Sequence, residues 1–217
     1  GDVVAVRSDI GQPPNPRFED RATQVITRPA FPEVDLGDPQ VVAAMARALV
    51  LGLTVHDLPL VRTLAPTTSG VTATTWLAPF GAHISLEAPG RTVELLAVMH
   101  QHWRPQWTLQ AWTATHALEV AFTPSYVHAG SAVATLRGPG GTQVLGPFPH
   151  NGYEGEWLHL HEVATGRAAP RYDAATVIDD LRYVLDIADG AAATALTTAA
   201  RTSATASTAG RTPGSAA

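Results

Sequence analysis

Residues 49–65 read LVLGLTVHDLPLVRTLA, an apolar run at helical spacing that carries His56 and Asp57 side by side. Imidazole ordinarily titrates near pH ~6.5, so a histidine facing a ligand can take or give a proton at neutral pH. Asp57 is the neighbour that would orient it, pack against the loop before the helix, or touch a substrate directly. The bland alternative is a helix with two polar residues turned to water. Arg17 is the third candidate. A guanidinium in a long loop suits a sugar hydroxyl or a carboxylate, with an ion pair to Glu19 or Asp20 as the competing use. Two further histidine pairs carry different geometry. His100 and His102 alternate by two, which on a strand puts both rings on one face, and zinc would then need a third ligand such as His116 or Glu94. His159 and His161 stand two apart in a helical stretch and point to nearly opposite sides, so they cannot share a metal. No metal site is expected.

The elements that must position these groups follow from periodicity. Val3, Val4 and Val6 mark an opening strand. Residues 11–39 hold Pro13, Pro14, Pro16, Pro29, Pro32 and Pro39 and read as a long loop. Asp38 and Pro39 then form an N-cap followed by a first-turn proline. The spacing predicts a helix from Gln40 to about Leu64, kinked or split by Pro59, which would free backbone groups near His56. From Val71 the period changes to two. VTATTWLA, ISLEA, TVELLAVMH, WTLQAWT, ALEVAFT, SAVATL and TQVLGPF form a succession of strands with short turns, an antiparallel meander.

Two helices close the series. One contains YEGEWLHLHEVATG and ends on Gly166; the other starts with Asp173 as N-cap. The expected fold is α+β: a largely antiparallel sheet with helices packed on one face. Residues 1–190 make the domain, and 191–217, rich in Ala and Thr, read as a disordered tail. Apolar residues fall on both faces of several strands, with Trp103, Trp107 and Trp112 as core or interface anchors. That predicts a homo-oligomer or a partner domain covering the open face.

Composition narrows the functional classes. The 217 residues carry a net charge of -5 and no lysine, and no basic patch or run appears, so neither nucleic acid nor an anionic membrane is the expected partner. Cysteine is absent, which removes disulfides, thiolate metal sites and a cysteine nucleophile. The apolar run from Val41 to Val55 is broken by Arg47 and reads as too short and polar to span a bilayer. A cytoplasmic location is expected.

GDVVAV, HDLPLVRTL and the stretch GYEGEWLHLHEVATGRAAPRYDAATVIDDLRYVLDIADGA together resemble the C-terminal domain of the Gfo/Idh/MocA oxidoreductases, the glucose–fructose oxidoreductase and inositol dehydrogenase family. The resemblance covers residues 1–190. HDLPLVRTL looks like the family's HDLDLLRWL helix, and the closing stretch is similar to its final helix pair. It implies a parent protein with an NAD(P)-binding Rossmann domain, supplied in cis or in trans, and a substrate and oligomerisation domain acting on a sugar, cyclitol or similar hydroxyl or carbonyl. It also implies that His56 exchanges a proton with that substrate.

Departures from the pattern bear on this. Gly52 stands where the family often has an aspartate, and Pro59 where it has a second acid. The glycines of RGPGGTQVLG sit in a hairpin rather than between a strand and a helix, and no E-K-P segment occurs. None of these residues is expected to bind a dinucleotide. The preferred reading is therefore one domain of a longer oxidoreductase. The alternatives are a Rossmann-free binding or assembly module, and a cofactor-independent isomerase or lyase using His56 as base.

Overall fold

A computed structural model describes residues 2–12, 34–99, 106–123 and 130–209. Their elements run β1 (Val3–Gln12), α1 (Pro39–Gly52), a 3-10 turn (Thr54–His56), α2 (Leu58–Leu64), β2 (Gly70–Trp76), β3 (Gly81–Ala88), β4 (Arg91–Met99), β5 (Gln106–Thr113), β6 (Ala117–Ala121), β7 (Val133–Gly138), β8 (Gly141–Leu145), α3 (Gly152–Ala164) and α4 (Ala174–Ala209). The strands form one sheet in the order β2-β3-β4-β1-β5-β6-β7-β8. The class is α+β, as the periodicity implies. One strand departs from a plain meander. β1 lies between β4 and β5, parallel to the first and antiparallel to the second. Such a long-range pairing leaves no trace in local alternation.

Alternation sorts the strands into two faces. Val6 and Ile10 of β1, Ile84 and Leu86 of β3, Val93 and Leu95 of β4, and Leu109 of β5 are at most 3% exposed and face the helices. The opposite face is more polar than the sequence suggests. His83 pairs with Glu94 at 2.6 Å, Ser85 donates to the same carboxylate at 2.8 Å, Arg7 pairs with Asp9 and Gln110 donates to Glu119. Leu96, Val98 and Trp112 share that face by parity, half-buried among these groups. Its polar side chains pair along β1 and across neighbouring strands, so the face mixes satisfied polar groups with half-buried apolar ones.

Asp38 caps α1 as expected, its Oδ1 accepting from the amide of Gln40 at 2.8 Å. The helix predicted as far as Leu64 breaks earlier than Pro59, in the 3-10 turn Thr54–His56. Pro59 sits in the first turn of α2, where a missing N–H costs nothing, so it starts a helix and frees no backbone group. By length and composition Pro39–His56 is apolar enough to cross a membrane. Here it packs as a core element, with Ala46, Leu49 and Val50 fully buried.

The boundary expected at Gly190 is not an end in the structure, because α4 continues to Ala209. Ala191 and Ala195 are buried, and Ala195 packs with Val42 and Ala46 of α1. A methyl group on Gly190 would come within 2.8 Å of Val71 Cγ2. That glycine serves close approach of helix to sheet rather than termination. Small side chains let α4 lie down on β2, where the hydroxyls of Thr74 and Thr194 meet at 2.7 Å. Further along, Arg47 pairs with Asp189, Arg62 with Asp180, and Tyr183 donates to the carbonyl of Ala65. These contacts tie α4 to α1 and α2.

Candidate functional site

The break between α1 and α2 shapes a cavity of about 320 Å³ at the ends of β1 and β4. Its walls are Ala48, Leu49, Gly52 and Leu53 from α1 and its C-terminus, Gln12 and Met99 from the paired strand ends, Phe80 from the β2–β3 connection, Trp107 from β5 and Tyr153 from α3. His56 completes the lining. Most of these side chains are apolar, and Gln12, His56 and Tyr153 supply the few polar groups that could fix an orientation.

The 3-10 turn explains why His56 and Asp57 part company. Leu53 closes α1 with its amide on Leu49, and Asp57 returns its amide to Thr54 at 2.9 Å. His56 is left exposed on the cavity side. Asp57, only 1% exposed, turns inward beneath the wall. Its backbone carbonyl accepts from Leu60 and Val61, so it stands at the N-cap of α2, yet its side chain caps nothing. The carboxylate instead accepts from Ser8 Oγ on β1 and from the indole Nε1–H of Trp107 on β5. Burial raises its pKa from 3.8 to about 6, while Ser8, Trp107 and the nearby His56 each pull in the opposite direction. Asp57 was a sequence candidate for substrate contact. The structure corrects this, because the side chain does not line the cavity and both its oxygens are engaged below it.

Trp107 links the two layers. Its N–H is held by Asp57, Phe122 packs beside it with ring centroids 5.0 Å apart and planes at 38°, and His56 approaches its edge at 6.3 Å and 64°. Trp107 packs on the core, as the sequence suggests, and also lines the cavity.

Arg17, His100, His102 and Trp103 lie outside the described residues. Glu94 and His116, offered as third ligands for a metal, serve elsewhere: Glu94 binds His83 on the open face, and His116 closes the β5–β6 turn through its amide on Thr113 Oγ1. Sequence reasoning missed Ser8, Gln12, Phe80, Met99 and Tyr153. Parity held a signal for two of them. Val6, Ser8, Ile10 and Gln12 share the inward face of β1, and a polar residue at an inward position needs a partner or a ligand. Gly52, which stands in place of the family's aspartate, lines the cavity with open space where a Cβ would be.

Gly138, Gly140 and Gly141 turn the β7–β8 hairpin, with strands on both sides and no helix N-terminus to receive a pyrophosphate.

No protein-family model matches the sequence, and no curated protein does. Solved structures do match. UDP-N-acetylglucosamine 3-dehydrogenase GnnA from Acidithiobacillus ferrooxidans is 12% identical at a TM-score of 0.57, over 90% of this chain and 55% of that one. KijD10, a 3-ketoreductase from Actinomadura kijaniata solved with NADP, is 13% identical at 0.51, over 88% and 52%. The dehydrogenase MviM from Clostridium difficile is 10% identical at 0.51, over 85% and 53%. The chain spans about half the length of each structure. Its fold is that of the C-terminal domain of Gfo/Idh/MocA-type oxidoreductases.

Proposed function

We propose that this chain is the substrate-binding part of an NAD(P)-dependent oxidoreductase acting on a ring hydroxyl or carbonyl of a sugar or cyclitol. In this reading His56 gives or takes the substrate proton. The observation that carries it is the placement of His56. An exposed imidazole opens into a mostly apolar cavity whose remaining polar groups, Gln12 and Tyr153, converge from two other elements. Such a lining suits a ring with an apolar C–H face and a hydroxylated edge. NAD(P) would supply or accept the hydride when bound by a separate nucleotide-binding domain. The chain's own residues seat the ring, exclude water and move the proton at His56.

A second domain has a place to sit. No residue of α3 is buried; Trp157 is 69% exposed, and Leu158 and Leu160 are about half exposed. Val177, Ile178 and Leu181 near the start of α4 are exposed as well. Tyr153 belongs to the same helix and to the cavity wall, so a domain covering α3 would also abut the cavity. In this reading a nicotinamide-bearing half seated there would bring its ring to the cavity mouth. A second copy of the chain would meet the open face of the sheet, where Leu96, Val98 and Trp112 lie half-buried between the polar pairs.

Chemical-shift mapping with methyl β-D-glucopyranoside tests the substrate site. Perturbations should centre on Gln12, His56 and Trp107. Perturbations confined to the groove between α3 and Tyr172, or none at all, would remove the cavity from consideration.

A further inference from the structure

We infer that Asp57 is a positioning residue that acts through Trp107, holding the indole as a fixed wall against which the ligand's ring packs beside His56. This rests on the reading of the cavity as the substrate site. A carboxylate that is 1% exposed cannot meet a ligand in the cavity. Its two oxygens face two strands instead: Oδ2 accepts from Ser8 on β1, and Oδ1 accepts from Trp107 on β5. Burying a charged acceptor is unfavourable unless its donors are well placed. Here the donor from β5 is the polar edge of a ring whose body faces the cavity.

The other sides of that ring are also fixed. Phe122 packs next to it from beyond β6, and His56 stands at its edge. Asp57, Phe122 and His56 therefore restrict an indole that also packs on the core and lines the cavity. A wall ordered before binding removes the rotamer cost that a free tryptophan would add. The same turn residue sets both groups a ring would meet. Asp57 holds Trp107 by its side chain, and its backbone amide, returned to Thr54, fixes the turn that presents His56. Asp57 thus couples the platform to the imidazole without touching either ligand or solvent.

The test reads the Trp107 indole N–H in ¹H–¹⁵N spectra of the full chain, assigned by its loss in Trp107→Phe. The wild-type resonance should lie downfield and exchange slowly with water, as expected for a charge-assisted bond. Asp57→Asn keeps a carbonyl acceptor but loses the charge, so the resonance should move upfield. Ser8→Ala leaves the carboxylate with one donor fewer and should move it further downfield. Opposite shifts from two neighbouring substitutions are not produced by general loosening.

Affinity for methyl β-D-glucopyranoside should fall about tenfold in Asp57→Ala and only about twofold in Asp57→Asn. If Asp57→Ala does not fold, the comparison of indole shifts between Asp57→Asn and Ser8→Ala still decides. An indole resonance indifferent to both of those substitutions overturns the inference, whatever the sugar does. An indole that responds as described, in a protein that binds no glucoside, would sink the substrate-site reading and leave Asp57 as the residue that orders the wall.

Discussion

The sheet beneath α1, α2 and α4 and the wing made by β6, β7, β8 and α3 are built from similar patterns and end differently. Under the helices, β1, β3, β4 and β5 each bury residues, and one apolar cluster joins them to α1, α2 and α4. In the wing no strand residue and no residue of α3 is buried, although it carries Val144, Leu145, Trp157, Leu158 and Leu160. Apolar residues at strand or helix spacing therefore fix which way a side chain points, and something else must supply the cover. In the first region α4 supplies it. In the wing the proposed second domain would supply it, and Trp107 from the first region and Tyr153 from the second both line the cavity.

Truncation should separate the two regions most sharply. Leu58→Ala, at a fully buried position, is expected to cost about 2–5 kcal/mol in chemical denaturation. Leu160→Ala, half-exposed in the wing, should stay within about 0.5 kcal/mol. A large loss at Leu160 in the isolated chain would mean that α3 is already covered.

Asp57 comes next in size. Its folded carboxyl binds a proton more tightly than the unfolded one, so stability falls as pH rises through the window from 3.8 to about 6. The full loss amounts to about 3 kcal/mol above that window. Denaturation midpoints measured from pH 4 to 8 should decline across it in wild type and flatten in Asp57→Asn. An equal decline in both would assign the effect to another group.

Gly190 tests the path of α4. Gly190→Ala pushes a methyl against Val71 and should destabilise by about 1–3 kcal/mol. A neutral or stabilising result would mean that the helix does not lie on β2. The smallest effect is expected at the cavity rim. Gly52→Ala meets open space and should stabilise by about 0.5–1 kcal/mol through helix propensity, while narrowing the cavity for a ring ligand.

Local chemistry made much of this legible. Asp38 and Pro39 announced α1, alternation announced every strand from Val71 onward, and the stretch beginning YEGEWLHL announced α3. Three gaps share a cause. Residues 191–217 looked like a tail because their Ala and Thr side chains offer little to bury, but small side chains are what let α4 approach β2, down to Gly190 against Val71. Pro59 looked like a breaker because the turn before it was not visible in helical spacing. Trp107 reads as a core or interface anchor and does pack on the core, but nothing local predicts its indole bond to Asp57, fifty residues earlier. Each depends on what the fold brings together. Ser8 and Gln12 were nearer to being readable, since polar residues at inward parity on a valine-rich strand already ask for partners.

The proposed role of His56 is tested most directly by measuring nicotinamide-dependent turnover of the full-length protein, wild type against His56→Ala, across a panel of pyranoses and cyclitols. With His56 as the proton donor or acceptor, kcat should fall by about 10²–10⁴ while the folded state is kept. Unchanged turnover on a substrate that wild type also uses would contradict the assignment of His56 and, with it, the cavity as the place where the chemistry occurs.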